Sequence, residues 1–185
     1  MHHALMRLSP VLSPADLPRP ELDAARLDGE LFLLDGCHCP IDEPERPALR
    51  AGSLAARFGQ RLIAERRSAA WVLGALATAP RVHQLCAGST ARVRPADRSG
   101  LELREVVIDE EDLLLIGGFR VTAPVRTVTD LARFSEAFGP EERRIVRRLA
   151  RIGRVGLDDC LRLMNRRRNL PAKRRATQRL RDALG

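Results

Sequence analysis

Tyrosine is absent from this 185-residue chain, tryptophan occurs once and phenylalanine five times. Proteins that grip single-stranded nucleic acid stack bases on aromatic side chains, so a dedicated reader of that kind is not expected. Lysine is nearly missing too: Lys173 is the one non-arginine among 32 basic residues. No apolar run reaches the ~18 residues of a membrane span. The opening MHHALMRLSP has neither a charged n-region nor an apolar h-region, so no secretory signal is expected. Four cysteines in such a chain are expected to be reduced thiols in the cytoplasm. With four histidines in all, and no Ser/His/Asp or Cys/His set in a supporting motif, neither an enzyme nor a cofactor is expected.

What the chain does have is charge sorted by position. Residues 1–48 carry 4 Arg and 9 acidic residues, net −5; residues 49–140 carry 13 Arg and 10 acidic, net +3. Residues 141–185 carry 15 Lys/Arg against 5 acidic, net +10. Nearly all of the overall +8 therefore lies in the last 45 residues, which points to a polyanionic partner. With 44% apolar residues the chain can bury a real core.

The first forty residues read as two short helices and a hairpin, the skeleton of a winged helix-turn-helix. Ser13 with Asp16 three residues on signals one helix start, and Pro20 opens a second helix over 21–28 that Gly29 ends. Strands at 30–34 and 37–41 flank Asp35-Gly36, a strong two-residue hairpin turn. The polar, proline-containing stretch 42–48 sets a boundary between a module at 1–46 and a second domain at 47–185.

Beyond it, Ser53 is expected to cap a helix carrying Leu54, Phe58 and Leu62 on one face. Ser68 is expected to cap another over 69–77, apolar on nearly every side and therefore central, with Trp71 in or beside the core. The period then changes to two, giving strands at 81–86, 90–94, 100–108, 112–116 and 119–122, the last pair joined by Gly117-Gly118. The rest is helical. Thr122 caps one helix, Pro140 starts a second that Gly153 stops, and apolar spacing marks two more around 157–164 and 176–184. The expected fold class is α+β: a winged-helix-like module, a mixed β-sheet and a helical, basic C-terminus.

The helix at 140–152 sets Ile145, Leu149 and Ile152 on one face, widened by Val146 and Ala150. Arg143, Arg144, Arg147, Arg148 and Arg151 occupy the rest, either as phosphate ligands or as a solvated face. Arg166, Arg167 and Arg168, with Lys173, Arg174 and Arg175, flank a break at 169–171 and form a compact basic corner. Arg126 and Asp130 stand at i, i+4, the spacing of a helix salt bridge.

Other constellations point to structure. Cys37-His38-Cys39 lacks a second ligand pair at zinc spacing, so packing is expected. Gly88-Ser89 has no paired carboxylates for a nucleotidyltransfer metal, since Asp97-Arg98-Ser99 does not supply them. The run Asp109-Glu110-Glu111-Asp112 reads as a solvated turn.

RSAAWVLGAL (67–76) and GGFRVTAPVRTVTDLARF (117–134), with the β-rich stretch between them, resemble AbiEi-type antitoxins of type IV abortive-infection systems. The likeness runs over roughly residues 10 to 184. It implies an N-terminal winged helix that binds the protein's own promoter and a C-terminal domain needed for antitoxicity. It also implies a nucleotidyltransferase-type cognate toxin, opposed without direct contact. Related chains continue into a Vsr-like nuclease domain, which is not expected in the residues up to RLRDALG.

One departure from the family is visible. Its second helix and wing are basic, whereas the matching positions here include Glu21, Asp23, Asp28, Glu30 and Asp35. Arg19, Arg26 and His38 are left as base-reading donors, and residues 143–175 as the electrostatic grip on duplex DNA. The expected function is that of an AbiEi-like antitoxin and autoregulator. The alternative is an antitoxin acting by direct contact with a toxin or RNA.

Overall fold

The computed structural model describes residues 10–88 and 99–185. The expected strand at 90–94 lies outside these, as do His2, His3, Ser89, Asp97 and Arg98. The described N-terminal unit holds one helix, α1 (Arg19–Leu27), and one hairpin, β1 (Leu31–Leu34) with β2 (Cys37–Pro40). Asp35 and Gly36 both take positive φ, 52° and 81°, as a primed two-residue turn requires. The helix expected from Ser13 is a turn instead, in which Ser13 donates its N–H and hydroxyl to Asp16 Oδ2, each at 2.8 Å. Pro18 explains the arrest, because the residue before a proline is driven out of the helical region.

α2 (Pro47–Phe58) starts seven residues earlier than a Ser53 cap suggested. Proline fits a first helical position, and Ser53 is buried mid-helix, its hydroxyl donating to Arg50 O at 2.8 Å. Gly59, at φ 85°, ends α2, so Leu62 does not continue it. The next residues form β3 (Ile63–Ala64), a two-residue strand too short to show a period. α3 (Arg66–Val72) contains Ser68 instead of being capped by it, and it stops before Gly74 (φ 86°), short of residue 77.

The strands β4 (His83–Gly88), β5 (Leu101–Val106), β6 (Leu113–Ile116) and β7 (Phe119–Thr122) join β3 in one sheet, ordered β5-β4-β3-β7-β6. Within it β4 runs parallel to β5 and β3 parallel to β7, and the other two pairs are antiparallel. Gly117 turns β6 into β7 at φ 55°, and a Cβ there would lie 2.9 Å from Ala48 O, so the turn seats directly on α2.

Four helices follow: α4 (Pro124–Phe134), α5 (Pro140–Gly153), α6 (Leu157–Asn165) and α7 (Lys173–Leu184). Ala123, not Thr122, is the N-cap of α4; Thr122 stays in β7, where its carbonyl accepts from the Thr127 hydroxyl at 2.9 Å. Two cores result. In one, Val11, Leu34, Cys37 and Cys39 meet α2, the sheet and Trp71; in the other, Leu131, Leu149, Met164 and Leu180 bring α4 to α7 together. α3 stands between them, Ala69 and Trp71 facing the first and Ala70 the second, which is why its stretch Ala69–Val72 is apolar on every side. No helix among the described residues is long and apolar enough to cross a membrane.

Candidate nucleic-acid interface

α5 carries the basic surface because its opposite face is fixed. Ile145, Val146, Leu149 and Ala150 are buried. Glu141 and Glu142, in its first turn, receive Arg67 of α3 at 2.6 and 2.8 Å. Ile152 is 47% exposed and does not extend the buried face. Gly153 is the last helical residue, not a terminating cap. A Cβ on it would lie 2.3 Å from Pro124 Cβ, so its missing side chain lets α5 cross close to α4. Arg154, at φ 52°, makes the left-handed cap.

The α5 arginines divide in two. Arg143 donates to Phe138 O at 3.3 Å and Arg147 to Ala183 O at 2.8 Å, so both brace the helical layer. Arg144, Arg148 and Arg151 are exposed, with no ion-pair or hydrogen-bond partner among the described residues. Their i, i+4, i+7 spacing lines them up along one ridge.

The basic corner divides likewise. Arg166 reaches Glu111 at 2.7 Å and Asp112 at 3.1 Å, Arg167 reaches Asp109 at 3.5 Å, and Arg175 donates to Arg133 O at 2.6 Å. Arg168, Lys173 and Arg174 have no such partner among the described residues. The corner therefore presents fewer free charges than its sequence implies.

The acidic run is not simply a solvated turn. Residues Glu110–Asp112 form a short 3-10 turn that buries Asp112 to 3% exposure, between Arg126 (2.8 Å) and Arg166. Arg126 also pairs with Asp130 at 2.8 Å, and Asp130 takes Arg133 at 2.9 Å. Arg104 grips Glu65 with two bonds, 2.5 and 2.6 Å. Burial opposes the charge on Arg126, but Asp130 and Asp112 outweigh it and hold its pKa above the ordinary value. At Arg133 burial prevails and draws the pKa below it. The Arg126–Asp130 pair was visible as a spacing, and Arg133, three residues past Asp130 on the same helix, could have been; Glu65, Arg104 and Asp112 come from three other segments.

In the N-terminal unit Arg19 is exposed, 3.9 Å from Asp23, and Arg26 is exposed without a partner among the described residues. His38 is 6% exposed, its Nε2 3.6 Å from Asp23 and neither ring nitrogen hydrogen-bonded. A base edge reaches that ring only if β2 moves. Cys37 and Cys39 pack in the first core, where burial pushes their thiols up to about 11 and about 12.

Residues 62–184 match the family model described as the AbiEi antitoxin C-terminal domain. No curated protein matches the chain. Among solved structures, the crystal structure of the RV2827C protein from Mycobacterium tuberculosis is similar, with a TM-score of 0.53 at 20% identity. The match covers 95% of this chain and 72% of that one, and it concerns the fold alone.

Proposed function

The chain belongs to the AbiEi antitoxin C-terminal domain family, and from that premise we propose a cytoplasmic antitoxin that also represses its own transcription by binding duplex DNA of its promoter. The observation that carries the DNA half is the set of uncompensated cations: Arg144, Arg148 and Arg151 on α5, then Arg168, Lys173 and Arg174 at the turn into α7. Cations free of internal partners displace counterions when they reach a phosphate backbone. Arg19 and Arg26 on α1 add contacts from the N-terminal unit, whose helix and hairpin serve as the base reader. The cognate toxin is of nucleotidyltransferase type, and no catalytic step belongs to this chain.

A second reading, direct protein contact, is favoured by one observation. The acidic N-terminal unit exposes Leu27 (79%), Leu33 (52%) and Ile41 (63%), apolar side chains that a partner would cover. Fluorescence anisotropy with a duplex from the gene's own upstream region, against a scrambled duplex of equal length, decides between the two. Preference for the native duplex supports the repressor. Equal binding to both duplexes, together with co-purification of the toxin, hands the role to direct contact.

A further inference from the structure

A cleft of about 350 Å³ opens between the end of β5, the acidic run at 109–112, one face of α4 and the turn from α6 to α7. Five guanidiniums line it: Arg104, Arg126, Arg133, Arg166 and Arg167. Four of them keep one terminal nitrogen without a partner. Arg126 donates Nε to Asp130 and Nη1 to Asp112, leaving Nη2 open. Arg133 donates Nε to Pro171 O and Nη1 to Asp130, again leaving Nη2. Arg104 holds Glu65 through Nε and Nη2, leaving Nη1, and Arg166 makes its bonds through Nη1 alone.

The open nitrogens of Arg104, Arg126 and Arg133 are not sealed from solvent, since the unsatisfied buried side-chain atoms among the described residues belong to Asp35 and His38. The carboxylates of Glu65, Asp112 and Asp130 are at most 3% exposed. They hold Arg104, Arg126 and Arg133 in place, and Asp112 itself reaches the wall. Arg104, Arg126 and Arg133 thus present donor edges already held in place, the geometry that suits phosphate oxygens, and the more exposed Arg166 and Arg167 flank them. Leu163, Leu170 and Pro171 give the wall an apolar side, and Glu105, Asp109 and Asp112 also line it.

We propose that this cleft binds a small phosphate monoester of mononucleotide size, its phosphoryl group on Arg126, Arg133, Arg166 and Arg167 and its organic body against Leu163 and Leu170. The volume lies at the lower end of the ~300–1,000 Å³ usual for small-molecule pockets, and a duplex cannot enter it. The site is separate from the exposed ridge of α5, so it stands whether or not that ridge binds DNA.

The test is calorimetric titration of the full chain with AMP, adenosine and inorganic phosphate. AMP binds at one site, inorganic phosphate competes with it, and adenosine binds about tenfold or more weaker for want of the charged contacts. Arg167→Gln removes only a 3.5 Å ion pair, so the variant stays folded, and it weakens AMP by about tenfold while Arg148→Gln leaves AMP unchanged. Three results overturn the site: no heat from AMP at millimolar concentration, equal affinity for AMP and adenosine, or a loss in Arg148→Gln as large as in Arg167→Gln.

Discussion

His83 Nε2 lies 3.0 Å from Asp35 Oδ1 and 2.9 Å from Oδ2, tying the turn of the N-terminal hairpin to strand β4. The other ring nitrogen meets the Ser68 hydroxyl at 3.0 Å, and Phe58 and Trp71 pack against the ring. A serine, a histidine and an aspartate in a row suggest a hydrolase, but Ser68 and His83 are both 0% exposed. The Ser68 oxygen also accepts the Gln84 N–H at 2.8 Å. With no path for a substrate, the chain of bonds is a clasp. Asp35→Ala leaves the buried His83 ring nitrogen unpaired and should lower the unfolding free energy by about 2–3 kcal/mol in urea titration. Asp35→Asn keeps an acceptor and tolerates the left-handed turn, so it should cost less.

Gly153 is required by space and not by backbone conformation. Gly153→Ala forces a methyl group into Pro124 and should destabilise by about 1–3 kcal/mol, despite the better helix propensity of alanine. Chemical denaturation shows the sign; an increase in stability would mean that α4 and α5 separate easily.

The buried thiols should be inert. With Cys37 and Cys160 pushed up to about 11 and Cys39 to about 12, burial being the main cause, little thiolate exists at pH 8. A thiol-disulfide reagent should report almost no reaction from the native protein and four thiols after unfolding.

Two carboxyls set an acid limb of stability. At Glu102 burial works against the charge, but hydrogen bonds from Arg66 and Gln84 outweigh it and hold the pKa low. At Asp159 the Gly156 N–H, at 2.8 Å, is the main cause, with burial opposing and Arg162 adding. A depressed folded-state pKa gives stability that is present above the unfolded value and is lost as pH falls through the folded one. Melting temperature should therefore decline below about pH 4.5, and Glu102→Gln should make that decline shallower.

The helices after residue 122 were legible because each repeats an apolar period over several turns and opens on a proline or closes on a break. β3 was not, since two residues cannot show a period, and Ser13, Ser53 and Ser68 misled because a capping residue type also serves inside turns and helices. The charge of the C-terminal third was legible as a sum. Its division was not: Arg166 and Arg167 are paired with acids more than fifty residues earlier, and only tertiary structure shows which arginines have no partner.

That division is the central claim, and the salt dependence of binding to the upstream duplex tests it most directly. Each phosphate neutralised contributes about −0.9 to the slope of log affinity against log salt. The triple variant Arg144→Gln, Arg148→Gln, Arg151→Gln should lose roughly 2–3 units of slope while melting at the wild-type temperature. An unchanged slope in a folded triple variant would contradict the account, because the free ridge of α5 would then take no part in holding DNA.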